Sequence, residues 1–274
     1  KFVVVPPNPE PAPGHDGRSV PNNIERGAAL AVVIPVHNEV ENIAGLVGEV
    51  VRALRGKIDF EIVVADDASN DGTAASLAAI RASVPELRVV RHARQSGQSA
   101  GVFSGARAAR APWIATIDGD GQNDPADILK LVARRDAEDA SHPLLVAGRR
   151  ATRRDTYRKR VQSRIANAVR SRLLGDQTPD TGCGLKLFPR AVFLTLPHFD
   201  HFHRFLPALF IWVGGRVVSE DVSHRPRAGG RSHYGMWGRL AVGIVDLLGV
   251  MWLQRRRVVV EAEEQSADKE LEGR

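Results

Sequence analysis

At 274 residues the chain is long enough for one large domain with appendages or for two small ones. Its 43% hydrophobic and 26% charged residues are those of a globular protein, which excludes a wholly disordered or fibrous chain. The single cysteine, Cys183, excludes an internal disulfide framework and suits a reducing compartment, and the formal charge of +6 is distributed very unevenly.

In chain order, residues 1–26 are rich in Pro, Gly and Asn without periodicity and predict a loose arm. The opening "KFVVVPPNPEPAPG" has too short an apolar core for a signal peptide, so the expected location is the cytosol or the cytosolic side of a membrane. From Ala28 strands and helices alternate. "AALAVVIPV" reads as a buried strand and Glu39–Leu54 as a helix; "FEIVVA" and Gly72–Ser83 repeat the unit. "LRVVR" with Ser99–Ala109 follows, then a strand at Trp113–Ile117, a helix at Pro125–Ala140 with proline in its first turn, and a strand at Leu144–Ala147.

Beyond residue 150 the pattern changes. Tyr157–Leu174 predicts a basic helix, Gly182–Leu187 an extended segment, Phe202–Trp212 an apolar helix and Arg216–His224 a strand. Met236–Leu253 is the most hydrophobic helix, short of a bilayer span and interrupted by Asp246. Trp237 and Trp252 near its ends, with Arg255–Arg257 after it, suit an interfacial helix; packing on the core or on a partner subunit is the alternative. The predicted organisation is an arm over 1–26, a domain over 27–235, an amphipathic helix with a basic flank over 236–258 and a disordered acidic tail over 259–274.

Alternating strands and helices predict an α/β fold with a mostly parallel sheet flanked by helices, and such sheets bind ligands outside the carboxyl ends of their strands. The polar motifs fall there. Pro35, His37, Asn38 and Glu39 follow the first strand, Asp66, Asp67, Ser69, Asp71 and Thr73 the second, Gln95–Ser99 the third, and Asp118–Gln122 the fourth.

The last of these, "IDGDGQNDP", places Asp118 and Asp120 in a glycine-loosened turn with Gln122 two residues on. An acidic turn alone has no need of a ligand. After a buried strand, beside the Asp66–Asp67 pair, it predicts a hard-cation site completed by substrate phosphates, because gathered carboxylates repel unless a cation or donor groups compensate. Between Arg149 and Arg172 stand ten basic residues against one acid, Asp155. Such a block is a solvated helix face or a phosphate-binding surface, on nucleic acid, anionic lipid or substrate.

Other chemistries lack their signatures. There is no phosphate-binding G-x-x-x-x-G-K-[ST] and no G-x-G-x-x-G after the first strand. His198, His201 and His203 stand in "LPHFDHFHRFLP", whose aromatic and apolar setting argues against zinc. Nucleic-acid binding through the basic helix is a minor alternative, unsupported by a helix-turn-helix, zinc or base-stacking module.

"VVIPVHNEVENI", "VVADDASNDGT", "QSGQSAGVFSGARAA" and "IDGDGQNDPADI" resemble the successive motifs of glycosyltransferase family 2, with its GT-A fold. "AGRRATRRDTYRKRVQSRIAN", "DTGCGLKLF" and "HRPRAGGRSHYG" resemble its polyprenyl-phosphate glycosyltransferases, the dolichyl-phosphate mannose synthases and their bacterial relatives. The resemblance spans roughly 28–255.

It implies inverting, metal-dependent transfer of a sugar from a nucleoside-diphosphate sugar, a UDP-sugar more than GDP-mannose, to an undecaprenyl- or dolichyl-type phosphate. The product would serve cell-envelope glycan or lipopolysaccharide modification. It implies a donor site of Pro35, His37, Asn38, Glu39, Asp66, Asp67, Gln98 and Asp118, with Arg227, Arg231, Ser232 and His233 on a loop closing over the diphosphate. Asp118, Asp120 and Gln122 match the family's ligands for Mg²⁺ or Mn²⁺. Arg149, Arg160, Ser163 and Arg164 match its acceptor-phosphate region, and Asp180, on the acceptor side, joins Asp118 and Asp120 as a catalytic candidate. His37 stands where members usually carry Tyr, and His233 where they carry Lys, which makes one charge pH-dependent. The implied setting is peripheral, on the cytoplasmic face of the inner membrane, docked through 236–258, without nucleic acid and with a homo-oligomer possible. A saccharide acceptor is the alternative within the family and would need Asp180 as its base.

Overall fold

The structure, a computed structural model, describes residues 28–150, 170–176, 178–225 and 236–256. Its sheet contains β1 (Leu30–Val36), β2 (Phe60–Asp66), β3 (Leu87–Arg91), β4 (Trp113–Thr116), β5 (Leu144–Arg150), β6 (Lys186–Pro189) and β7 (Arg216–Val222). The spatial order is β3-β2-β1-β4-β6-β5-β7. Every residue of β1 and of β2 is buried, as expected for unbroken Val/Ile runs at the centre of a sheet covered on both faces.

The mostly parallel sheet agrees with the sequence reading. β1 pairs in parallel with β2 and β4, β2 with β3, and β5 with β7. β6 is the departure from simple alternation, antiparallel to both β4 and β5. Its first residue, Lys186, is registered on Thr116, the last of β4. The chain entering β6 therefore crosses the carboxyl edge of the sheet, and Asp180–Gly184 arrive beside the acidic turn.

Helices cover both faces. α1 (Ile43–Leu54) buries Ile43, Leu46, Val47, Val50 and Leu54, a helical stripe, against one core cluster, which α4 (Ile128–Asp136) also joins. α2 (Thr73–Arg81) connects β2 to β3 and buries Leu77 in that cluster. On the opposite face lie α3 (Gln98–Ala108), α5 (Arg190–Thr195), α6 (Leu206–Trp212) and α7 (Met236–Arg255). α3 sits unusually close to β1. A Cβ on Gly105 would lie 2.5 Å from Val33 Cγ1, and one on Gly101 would lie 2.8 Å from Pro35 Cβ. Those glycines let the first turn of α3 reach the carboxyl ends of β1 and β4.

Some boundaries differ for local reasons. α1 starts at Ile43 rather than Glu39, because the backbone N–H groups of Glu39 and Val40 donate to Thr73 Oγ1 and Asp71 Oδ2, at 3.0 and 3.1 Å. The expected helix over 125–140 splits into a 3₁₀ turn, Pro125–Asp127, and α4. That over 202–212 splits into a 3₁₀ turn, Phe202–Arg204, and α6, with Pro207 in its first turn. β5 runs on to Arg150, and the short helix α5 was not anticipated.

α7 covers the predicted hydrophobic helix. Val250 is buried, and Leu247, Met251 and Leu253 pack on the second core cluster. Ile244, Val245, Leu248 and Trp252, which share a face at helical spacing, are 50%, 68%, 58% and 62% exposed. Among the described residues no helix is long and apolar enough to cross a membrane. Of the predicted basic helix, residues 170–174 are helical; its remainder lies outside the described residues, as do the predicted N-terminal arm and acidic tail.

Candidate active site at the carboxyl edge of the sheet

The loops after β1 and β2 are knitted together. Asn38, in the left-handed region at φ 57°, donates its N–H to Ser69 Oγ (3.0 Å), and its side-chain oxygen accepts the N–H of Asn70 (2.8 Å). His37 Nδ1 lies 2.7 Å from the carbonyl oxygen of Asp67, and Glu39 Oε2 accepts from Asn42 (2.7 Å). The Asp67 carboxylate accepts the N–H groups of Ser96 and Gly97, at 2.8 and 2.7 Å, with His92 Nδ1 also at 2.7 Å. Asp66, fully buried, accepts from Ser69 N at 3.0 Å, and Arg91 stands 3.2 Å from its other oxygen. Donor groups therefore compensate Asp67, through which β2 holds the loop that leads into α3, whereas Asp66 Oδ2 is buried beside Arg91 without a hydrogen-bond partner among the described residues.

The turn after β4 is compensated differently. Gly119 is required by space: a Cβ there would lie 2.7 Å from Val36 Cγ1 and 3.1 Å from the Pro35 carbonyl oxygen. Gly121 supplies a positive φ of 71°. Asp120 Oδ1 accepts the N–H of Gln122 (3.1 Å), closing the turn, and Asp118 Oδ1 accepts Nε2 of Gln98 (2.7 Å). On its far side the Asp118 carboxyl rests against Gly184, where a Cβ would come within 2.2 Å of it. Burial, then the charge of Asp120, pushes the Asp118 carboxyl up to about 6, against the opposing pull of Lys186, Arg150 and the Gln98 bond.

Two cations flank the turn. Lys186 is buried, and its ammonium donates to the carbonyl oxygens of Thr181 (3.3 Å) and Cys183; burial pulls its pKa down. Arg150 donates from Nε and Nη2 to the two oxygens of buried Asp180, at 2.7 and 2.8 Å, and this bond raises the guanidinium further. Sequence reasoning singled out neither. Arg149, which it did select, instead pairs with its cross-strand neighbour Asp221 (2.6 Å), both about half exposed. One step along a strand reverses the side chain, and only register tells the two arginines apart.

The donor set suits a hard cation: two carboxylates and an amide oxygen in one turn, with Asp120 raising the pKa of Asp118, a repulsion that a divalent ion relieves. Among the described residues no group of three or more His, Cys, Asp or Glu side chains is placed to hold a metal, so an ion here would take further oxygens from substrate. Arg160, Ser163 and Arg164, and Arg227, Arg231, Ser232 and His233, lie outside the described residues. The chain leading to the latter group is anchored at the turn. Arg225 donates its N–H to the Gln122 carbonyl oxygen (2.8 Å), its guanidinium holds Glu49 (2.6 Å) and Asp124 (2.8 Å), and His224 bridges to Asn123.

The three clustered histidines serve different neighbours. His198 packs in tilted and edge-on contacts among Phe103, Phe193 and Phe202, where burial lowers its pKa. His201 Nδ1 lies 3.1 Å from Asp246 of α7. His203 Nδ1 lies 2.7 Å from Ser99 Oγ, and burial, then Lys186 and Arg204, brings its pKa down to about 3. It lines a small cavity with Pro35, Gln98, Thr116, Asp118 and Lys186.

A mostly parallel sheet with one reversed strand, and a D-x-D turn at the carboxyl end of β4, defines the GT-A class of fold. The chain belongs to glycosyl transferase family 2, whose model matches residues 31–196. It is 33% identical over 244 residues to the dodecaprenyl-phosphate galacturonate synthase of Rhizobium johnstonii, covering 85% of this chain and 70% of that protein. It is 32% identical over 211 residues to the undecaprenyl-phosphate 4-deoxy-4-formamido-L-arabinose transferase of Edwardsiella ictaluri, covering 76% of this chain and 63%, under two thirds, of that one. In structure it is similar to the glucosyl-3-phosphoglycerate synthase of Mycobacterium tuberculosis in complex with Mn²⁺, UDP-glucose and glycerol 3-phosphate. The TM-score is 0.59 at 17% identity, over 84% of this chain and 81% of that one.

Proposed function

We propose that the protein transfers a sugar from a nucleoside-diphosphate sugar, with UDP-sugars favoured, to a polyprenyl phosphate at a membrane surface, inverting the anomeric configuration. The observation that carries this reading is the Asp118 turn: a carboxylate pair held by Gln98 and Gly184, flanked by Lys186 and the Arg150–Asp180 pair. The two polyprenyl-phosphate transferases among the relatives support the acceptor class.

Asp118, Asp120 and Gln122 would hold Mg²⁺ or Mn²⁺, which when bound supplies positive charge against that developing on the leaving diphosphate. Pro35, His37, Asn38 and Glu39 line the donor's approach from β1. Arg225 fixes the start of the segment bearing Arg227, Arg231, Ser232 and His233, which in this reading closes over the diphosphate and steadies its charge. A phosphate acceptor is already anionic and needs no general base. That accords with Asp180, whose two oxygens are held by Arg150 and serve to orient the Asp180–Gly184 segment. Arg160, Ser163 and Arg164 would receive the acceptor phosphate, while Arg149 stays paired with Asp221.

A long prenyl chain stays in the bilayer, so the enzyme must work at its surface. The apolar face of α7, with exposed Arg255 and Arg256 at its end, supports peripheral docking at the cytoplasmic face of the cell membrane. The test is turnover with Mn²⁺, a panel of UDP- and GDP-sugars and undecaprenyl phosphate. A lipid-linked sugar is expected, absent with Asp120→Ala. Turnover without any lipid phosphate, or no nucleotide binding at all, would overturn the reading.

A further inference from the structure

We propose that His203 binds one hydroxyl of the donor sugar through its Nε2 atom and so takes part in deciding which sugar is accepted. The inference rests on the sugar-transfer reading above and deepens it. Three observations carry it.

The first is position. The cavity that His203 shares with Asp118 has room for roughly a single water-sized group, the scale of one hydroxyl. It is walled by Pro35 at the end of β1, Thr116 and Asp118 at the end of β4, Lys186 at the start of β6 and Leu206 at the start of α6. A donor whose diphosphate lies at the Asp118 turn brings its sugar against this cavity.

The second is a count of hydrogen-bonding capacity. Gln98 Nε2 is given to Asp118, the Thr116 hydroxyl to the Gly184 carbonyl oxygen (2.7 Å), and two of the three Lys186 donors to Thr181 and Cys183. The His203 ring is fixed by Ser99 at Nδ1, while Nε2 has no hydrogen-bond partner among the described residues. A half-buried ring nitrogen left open at the edge of a substrate crevice needs a partner when water is excluded.

The third is chemical character. Burial beside Ser99 and the cavity wall, then the neighbouring Lys186, Arg204 and His201, disfavour a charged imidazole. A neutral ring nitrogen with its partner fixed pairs well with a hydroxyl, which donates or accepts as required. Its recognition is therefore of a neutral sugar hydroxyl, while charge recognition is left to the neighbouring cations.

Two isosteric variants separate this role from a structural one. His203→Asn places an amide where Nδ1 sits, keeping the Ser99 bond and removing Nε2; His203→Gln places an amide near Nε2. The probes are UDP, the UDP- or GDP-sugar of the panel that wild type turns over, and its 2-, 3-, 4- and 6-deoxy forms. His203→Asn should lower kcat/KM by about 10- to 100-fold with the parent sugar, the scale of roughly 1–3 kcal/mol for a buried group left without its hydrogen bond. UDP affinity should stay within about twofold, since UDP lacks the contact. One deoxy sugar should abolish the difference between wild type and His203→Asn, and His203→Gln should recover part of the loss. The same loss with every deoxy sugar, a parallel loss of UDP binding, or no loss would overturn the hydroxyl contact and leave the transferase reading standing. A wild type that turns over no nucleotide sugar would overturn both.

Discussion

Gln98, the first residue of α3, donates from Nε2 to Asp118 Oδ1 at 2.7 Å, tying a helix on one strand connection to the acidic turn of another. The bond exists because Gly101 and Gly105 let α3 lie almost on β1. Through it the orientation of Asp118 depends on the packing of a helix. Gln98→Ala should therefore lower kcat/KM and Mn²⁺ affinity by about 10-fold or more, as loss of a group that orients a metal ligand commonly does. Its thermal midpoint should barely move, because Gln98 is exposed. Mn²⁺ titration by calorimetry beside a melting curve tests both halves.

The raised Asp118 carboxyl makes cation binding pH-dependent. Above about 6 it is ionised and ready to bind; below, a proton competes, and Mn²⁺ affinity should fall roughly tenfold per pH unit. The stability sign is opposite in the metal-free protein. A carboxyl whose folded pKa lies above its unfolded one binds more protons when folded, so its contribution to stability declines as pH rises from about 4 to about 6. Calorimetric titrations at pH 5, 6 and 7, with melting curves of the metal-free protein, give both slopes.

Gly184→Ala probes the contact from the other side. A methyl 2.2 Å from the Asp118 carboxyl cannot coexist with the present rotamer, so Asp118 must turn away. Mn²⁺ binding and turnover should fall by about 10-fold or more, with a smaller loss of stability than large core substitutions cause, since one side chain can yield. Melting curves measured beside turnover separate the two effects.

The adjacent arginines should behave differently. Arg150→Ala removes a bidentate partner of the buried Asp180 carboxylate and should cost several kcal/mol of stability, up to about 3–5. Arg149→Ala breaks only a half-exposed pair and should leave unfolding near that of the parent. Equal denaturant midpoints for the two would refute the assignment.

Membrane docking by α7 is tested at Leu248 and Trp252. Their exposure means that Leu248→Asp and Trp252→Ser should hardly alter the melting temperature. Retention on anionic vesicles should drop by about tenfold or more, the scale of burying one large apolar side chain. Unchanged retention would direct attention to another face.

Much of the framework was legible in local pattern. The Val- and Ile-rich runs of β1 and β2 read as buried strands, which they are, and the D-x-D could be placed at the carboxyl end of such a strand from local pattern alone. What escaped notice was set by neighbours distant in sequence. "GCGLKLF" reads as a strand, yet its lysine is buried, and burial lowers its pKa while the Thr181 and Cys183 carbonyl oxygens accept from its amine nitrogen. The resemblance places Asp66 and Asp67 at the nucleotide; what it did not convey is that Asp67 accepts the N–H groups of Ser96 and Gly97 and that Asp66 accepts that of Ser69, contacts set by the fold.

Element type, strand burial and the position of the acidic turn follow from side chains within a few residues of one another, because apolar periodicity and turn chemistry act over that distance. Tertiary structure alone decided the reversal of β6, the choice of Arg150 over Arg149 beside Asp118, and the separate environments of His198, His201 and His203. Each depends on strand register or on which face of the sheet a later segment returns to. These are set by loop paths and by packing between residues as far apart as Ser99 and His203, and no local pattern encodes them.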